Sequence, residues 1–316
     1  MSGQTVGDIG EFGLIAALQP RLKSTAAVQI PSGDDAAVLD LGSPRLVVST
    51  DMFVQDRHFR TEWSSPEDVG HKAAAQTFAD LTAMGAQPVA LTAAISLPPN
   101  TPVDWVLGVV DGMVAEAAEV GAAVVGGDVT RADNITLSLT AMGVPSGSRL
   151  VTRDGAKPGD VVAVCGRLGW AAAGLAVLGR GFRSPRVVVD AHRRAHPPYA
   201  AGALAAAAGA SAMVDVSDGL LADLGHIAQA SGVHIVVDQG LLPIDAQVRE
   251  TASAFNADPL GWVLAGGDDH ALAATFPPDA TLPEGFELIG EVLEGSGVEV
   301  PGYRHIGAPG YDHFRD

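Results

Sequence analysis

Aspartate recurs along this chain beside glycine and hydroxyl residues. In "MVDVSDGLLADLGHI" (residues 213–227), Asp215, Ser217 and Asp218 fall within four positions, between an apolar run and a helical pattern. Carboxylates crowded into one turn repel each other and raise each other's pKa unless a cation lies between them. Five more clusters share the pattern. "SGDDAAV" carries Asp34 and Asp35, "VVSTDMF" carries Ser49, Thr50 and Asp51, and "FADLTAMGAQP" places Asp80 in a helical stretch. "VVGGDVTR" carries Gly126, Gly127 and Asp128, and "LAGGDDHAL" carries Asp268 and Asp269. Any one cluster is accounted for by capping, an Asx-turn or a solvated acidic surface. Six of them, each beside apolar sequence, point instead to sites for hard cations. Magnesium takes about six oxygen ligands at roughly 2.0–2.1 Å and shares them with water and substrate phosphates. An EF-hand does not fit, because the twelfth position of "DVSDGLLADLGH" is His226 rather than a bidentate glutamate.

Magnesium implies a nucleotide, yet the common nucleotide motifs are missing. No G-x-x-x-x-G-K-[ST] loop is present, nor is the protein-kinase glycine loop with its H-R-D and D-F-G elements. The chain has three lysines, Lys23, Lys72 and Lys157, so metal and arginine must carry most of the charge neutralisation at any phosphate. Among the histidines, His58 follows Asp51 by seven residues on the loop leaving that strand and is a candidate grip on an anionic group. His192 and His196 stand at i, i+4 with Arg193 and Arg194 between them, and are expected on a solvated face.

The elements that must position these residues follow from periodicity. "AAVLDL", "RLVVSTD", "PVALTAAISLP", "AAVVGGD" and "ITLSLTAMGVP" read as strands of the first half. "SSPEDVGHKAAAQTFADLTAMGA" reads as a helix with Ser65 at the N-cap, Pro66 at the first position and Gly85 beyond the end. "VDWVLGVVDGMVAEAAEVG" is a second helix, with Trp105, Val106, Val109, Val110, Met113, Val114 and Ala117 on its apolar side. Residues 145–160 are dense in turn formers and mark the boundary, giving domains at 1–147 and 148–316. After it come the strand "VVAVCG", helices near "GWAAAGLAVLG" and in the alanine-rich stretch, the quoted strand-turn-helix, the strand "VHIVVD", a helix near 245–256, and the strands "HALAATF" and "FELIGEV". Strands and helices interleave in both halves, so the fold class is α/β or α+β.

Composition narrows the function classes. A chain of 316 residues with 47% apolar and 18% charged content buries a sizeable interior and divides into two domains. A net charge of −18 argues against a nucleic-acid or anionic-membrane partner. The single cysteine, Cys165, excludes an internal disulfide and a multi-cysteine zinc site, and reads as a buried strand residue. No apolar targeting segment follows Met1 and no stretch is long enough to span a bilayer, so a reducing cytoplasm is expected.

"GEFGLI", "GDDAAV", "STD…HF", "DLTAMGAQP", "GGDVTR", "TRDGAKPGD", "DVSDGLLADLGHI", "GGDDHAL" and the terminal "GYDHF" occur in an order that resembles the thiamine-monophosphate kinases, within the aminoimidazole-ribonucleotide-synthetase-like ATP-binding superfamily. The resemblance implies ATP- and magnesium-dependent phosphorylation of thiamine monophosphate to thiamine diphosphate, with several magnesium ions. A related ATP-dependent synthetase acting on another small phosphorylated substrate is the alternative. It implies a two-domain synthetase-like fold: an N-terminal ATP- and metal-binding domain whose mixed sheet pairs into a barrel in a homodimer, and a C-terminal α/β domain that completes an active site between the two. Carried over by position, Asp35, Ser49, Thr50, Asp51, Asp80, Asp128, Asp215 and Asp218 form the metal set. Gly127, Asp128, Arg153 and Ser217 contact the nucleotide. His58, Asp268 and Tyr311 contact the thiamine phosphate. Asp51, Asp128, Asp215, Asp218 and Arg153 carry the catalysis. Two departures stand out: His270 and Ala271 replace a Tyr-Glu pair, and "VQDRHF" replaces a Glu-Gly continuation before His58.

Overall fold

In the computed structural model of the chain, residues 3–31, 37–303 and 310–311 are described, with the main chain alone at positions 11 and 12. The chain divides into two compact units: Met1–Leu81 with Gln87–Pro145, and Thr82–Ala86 with Ser146–Asp316.

The first unit opens with α1 (Val6–Leu18), a short 3-10 turn and the small antiparallel pair β1 (Val28–Ile30) and β2 (Val38–Leu39). Then follow β3 (Val47–Val54), α2 (Pro66–Ala83), β4 (Ala86–Leu97), α3 (Val103–Glu119), β5 (Ala123–Arg131) and β6 (Thr136–Pro145). The sheet order is β3-β6-β4-β5. β3 lies antiparallel to β6, and β4 parallel to β5 across the α3 crossover. α2 starts where the sequence places it. The Asp68 N–H donates to Ser65 Oγ (3.2 Å) and the Ser65 N–H to Asp68 Oδ2 (3.0 Å), a reciprocal cap of two orphan donors. α2 and α3 cross so closely that a Cβ on Gly70 would stand 1.8 Å from the Val109 carbonyl oxygen. One on Gly112 would stand 2.2 Å from that of Glu67. Only glycine permits that approach.

The second unit carries β7 (Val161–Cys165), α4 (Trp170–Gly179), α5 (Arg186–Arg193), α6 (Tyr199–Ala207), β8 (Ala212–Val216) and α7 (Leu220–Ser231). β9 (His234–Val237), α8 (Ala246–Ala254), α9 (Pro259–Ala265), β10 (Ala271–Phe276), β11 (Phe286–Leu293) and β12 (Gly297–Glu299) complete it. Its sheet order is β12-β9-β11-β7-β10-β8, antiparallel except for β12 with β9. Alternate strand residues enter two cores. Val162, Val164, Val214, Ala271 and Ala273 pack with Leu220, Leu224 and Ile227 of α7. Ala163, Cys165, Met213, Leu272 and Ala274 pack with Ala201 and Ala205 of α6. Strands covered on both faces read as unbroken apolar runs, which is why "VVAVC" and "ALAATF" show no alternation.

Several expectations are corrected. "AAVLDL" yields only the two-residue β2. α1, α5, α9 and β12 were not expected as elements. His196 is exposed, but His192 is buried. α5 lies so close on α4 that a Cβ on Gly174 would come within 2.7 Å of the His192 Cβ. Among the described residues, no helix is long and apolar enough to cross a membrane.

Candidate active site

In the first unit the acids gather where β3 meets α2. Ser49 Oγ donates to Asp80 Oδ2 at 2.5 Å, tying the strand to the helix. Side chains alternate along a strand. Asp51 therefore shares the face of Ser49, and Thr50 points to the other. Thr50 Oγ1 there shares a 2.8 Å hydrogen bond with Thr140 Oγ1 of β6. The Thr50 hydroxyl thus faces away from Ser49 and Asp51, its neighbours in the metal set. Phe53, next along the inner face, is buried, and the Lys72 ammonium of α2 lies 5.9 Å from its ring centroid. Lys72 is itself 2% exposed. It stands two turns before Asp80, and that spacing was the signal that could have drawn it into the candidate set.

Gly127 and Asp128 lie in β5 opposite Ala93 and Ala94 of β4. A Cβ on Gly127 would sit 2.0 Å from the Ala93 carbonyl oxygen, so the glycine is required by strand approach. Asp128 is exposed. His58 closes the turn after β3: its Nδ1 accepts the Val54 N–H (2.9 Å) and its ring stacks on Phe53 (centroids 5.5 Å apart). In the neutral ring this leaves the proton on Nε2, which makes that nitrogen the donor. Asp35 lies outside the described residues.

In the second unit three segments converge on the turn between β8 and α7. Asp215, at the end of β8, accepts from His270 Nδ1 at 3.0 Å, with both side chains buried. The Asp268 N–H donates to the Ser217 carbonyl (2.8 Å) and the His270 N–H to that of Val216 (2.9 Å). The Tyr311 N–H donates to the Asp218 carbonyl (3.0 Å). Ser217, Asp218, Asp268 and Tyr311 are therefore brought to one place. Gly219 permits the turn, because its φ of 128° and the Ala265 backbone against it exclude a side chain.

Neighbouring acids in this region do different work. Asp223 Oδ2 accepts the N–H groups of Asp218 (3.1 Å) and Gly219 (3.0 Å), fixing the turn. Burial, with the charges of Asp215 and Asp218, pushes its carboxyl up to about 7. Asp269 accepts the N–H groups of Gly169 (2.5 Å) and Ala171 (2.8 Å) and caps α4. Burial pushes its carboxyl up to about 7, against the lowering effect of those two donors. Ligand atoms of Asp218, Asp223 and His226 lie within 4.8 Å of one another. The sequence reading did not place Asp223 or His226 in the site; their i, i+3 spacing on the first turns of α7 was the available sign.

Arg153 is exposed in a turn whose main chain is tied to the far end of α7. Ser231 Oγ donates to the Arg153 carbonyl at 2.9 Å. α7 has twelve residues, which separates that end from the Asp218 turn by about 18 Å. The same turn is tied to β8, because the Met213 N–H donates to the Thr152 carbonyl at 3.2 Å, two positions before Asp215.

Residues 33–145 match the AIR synthase related protein, N-terminal domain, and residues 157–301 the corresponding C-terminal domain. Two such domains in succession define a protein of the AIR-synthase-related class. Within that class, the thiamine-monophosphate kinase of Mycobacterium tuberculosis is 46% identical over 312 residues, covering 98% of this chain and 93% of its own. A crystal structure of the Stenotrophomonas maltophilia thiamine-monophosphate kinase superposes with a TM-score of 0.82 at 36% identity, covering 93% of this chain and 97% of that one. AaThiL, solved in complex with AMPPCP and TMP, superposes with a TM-score of 0.81 at 31% identity, covering 99% and 100%. The chain belongs to the thiamine-monophosphate kinase family.

Proposed function

We propose that the chain transfers the γ-phosphoryl group of ATP directly to thiamine monophosphate, giving thiamine diphosphate and ADP. The observation that carries this reading is similarity of nearly full length to thiamine-monophosphate kinases. A phosphate oxygen of thiamine monophosphate attacks the γ-phosphorus as the bond to the β–γ bridging oxygen breaks, and that electron pair leaves on ADP. The second pKa of a phosphate monoester is about 6, so the nucleophile is already anionic and no general base is required. The barrier is the approach of two anions.

The donor set fits magnesium. The Ser49 hydroxyl and the Asp80 carboxylate meet at 2.5 Å, and the Asp218 and Asp223 oxygens cluster in the second unit. Hard oxygen donors of this kind are what the ion takes. Magnesium, when bound, supplies the positive charge that offsets repulsion between the phosphates and aligns them for in-line displacement. Asp35, Ser49, Thr50, Asp51, Asp80 and Asp128 of the first unit, and Asp215 and Asp218 of the second, would hold the several ions. Gly127, Asp128, Arg153 and Ser217 are assigned to the nucleotide, with Arg153 as an added cation. His58 Nε2, Asp268 and Tyr311 are assigned to thiamine monophosphate. The N-terminal domain would bind ATP and metal, and the C-terminal domain would complete the site. We further assign a homodimer formed through the outer face of the first unit's sheet, where Val48 and Met52 are 53% and 57% exposed. A cytoplasmic location suits the single, buried thiol of Cys165.

Phosphorus-31 NMR of the protein with magnesium, ATP and thiamine monophosphate tests the reaction. A new thiamine diphosphate signal is expected. ADP with free phosphate, or no turnover, overturns the assignment.

A further inference from the structure

His270 is where this chain departs from the tyrosine that the family resemblance leads one to expect, and the structure gives the substitution a definite place. Its Nδ1 lies 3.0 Å from Asp215 Oδ2, with side-chain exposures of 2% and 3%. A carboxylate oxygen only accepts, so Nδ1 carries the proton and donates it. The backbone is built around this contact. Asp268 and His270 both adopt positive φ, 69° and 53°, which non-glycine residues hold only when their surroundings enforce it. The enforcing contacts are main-chain bonds from Asp268 to Ser217 and from His270 to Val216. In addition, Gly267 lies so close that a Cβ there would stand 2.3 Å from the Ser217 carbonyl oxygen. The loop is thereby locked to the two residues that follow Asp215.

We propose that His270 is a positioning residue for Asp215. By occupying Oδ2 it fixes the plane of the carboxylate and with it the direction of the other oxygen. This is the role that a buried partner plays behind a metal-ligating side chain, where its loss costs roughly 10–100-fold in metal affinity. The inference rests on the magnesium-dependent reading above.

The test compares His270→Asn, His270→Gln and Asp215→Asn. Asn carries its amide nitrogen where the imidazole has Nδ1, whereas Gln carries it where the ring has Nε2. Magnesium is titrated calorimetrically into each protein with AMPPCP present, so that binding is read without turnover. His270→Gln is expected to weaken magnesium binding about 10–100-fold, and His270→Asn to recover most of the loss. Because Asn also tolerates a φ near 53° better than Gln, melting temperatures are recorded separately and the magnesium titration decides. Equal magnesium affinity in the Asn and Gln variants, whether both native or both weakened, overturns the positioning role. If Asp215→Asn leaves magnesium binding unchanged, the assignment of Asp215 to the metal fails first. If Asp215→Asn weakens binding while both His270 variants match the native protein, only the role of His270 fails.

Discussion

Asp80 of the first unit is held by a side-chain hydroxyl, whereas Asp223 and Asp269 of the second are held by main-chain amides. Asp80 meets the Ser49 hydroxyl across a helix–strand contact, and Asp128 stands exposed on its strand. In the second unit Asp223 and Asp269 each accept two amide N–H groups, and Asp215 meets a buried imidazole. An acid that satisfies two orphan amides is a structural part, whatever its charge. The difference divides neighbouring acids: Asp223 and Asp269 hold the turns that carry Asp218 and Asp268, and an Asp223 oxygen also lies within 4.8 Å of ligand atoms of Asp218 and His226.

The comparison breaks first on the ligand acids. Asp51→Asn and Asp218→Asn should each lower turnover by about 10³-fold, since loss of several kcal/mol of charge stabilisation corresponds to that factor. Both variants should keep the native circular dichroism spectrum, and metal-free melting temperatures should rise slightly as like-charge repulsion is relieved. Native turnover at limiting magnesium in either variant would remove that residue from the metal set.

The structural acids should fail differently. Asp269→Ala leaves the amides of Gly169 and Ala171 without their acceptor and should cost about 1–3 kcal/mol of stability in urea denaturation. The charge state sets a pH dependence. A carboxyl raised to about 7 when folded, from 3.8, contributes stability below pH 3.8 that is lost as pH rises through 7. Asp269→Asn abolishes that slope, which reaches at most about 1.4 kcal/mol per pH unit. The variant should therefore lie further below the native protein at pH 5 than at pH 7.5. A constant gap across that range would show that the Asp269 carboxyl is already ionised at pH 5.

Strand alternation supplies a sharper contrast within one tripeptide. Ser49→Ala removes the donor to Asp80 and should raise the half-saturating magnesium concentration about tenfold, at roughly 1.4 kcal/mol. Thr50→Val removes only the outer-face bond to Thr140 and should change that concentration less than twofold. An equal effect of the two would place the Thr50 hydroxyl among the ligands.

Much of this was legible in the sequence, for physical reasons that can be named. Ser65 and Pro66 announce the start of α2 because capping is local. The acid clusters announce themselves because charge beside apolar runs needs a cause. The face of the Thr50 side chain follows from the two-residue period of a strand. The partition of Asp268 from Asp269 was not legible. Adjacent residues in a turn differ only by which distant amides they reach, and Asp269 reaches 100 residues back to Gly169. The His270–Asp215 contact spans 55 residues in the same way. His192 misled because its arginine neighbours look solvated, whereas its own burial depends on Gly174 in another helix.

Tyr311 offers the smallest and most discriminating effect, because its side chain and its main chain have separate tasks. The ring is 52% exposed, available to lie against the fixed charge of the thiazolium. The N–H is bonded to the Asp218 carbonyl, and a Cβ on the preceding Gly310 would come within 2.7 Å of the same oxygen. A cation on an aromatic face is worth roughly 0.5–2 kcal/mol. Tyr311→Ala should therefore raise KM for thiamine monophosphate several-fold and leave KM for ATP unchanged. Deleting residues 311–316 removes the main-chain bond as well, which loosens the turn that carries Asp218. The deletion should reproduce the Tyr311→Ala effect on thiamine monophosphate and add a rise in the half-saturating magnesium concentration. Should Tyr311→Ala weaken ATP binding instead, or the deletion match it in every constant, the ring is not the thiamine contact or the N–H bond does not support the metal turn.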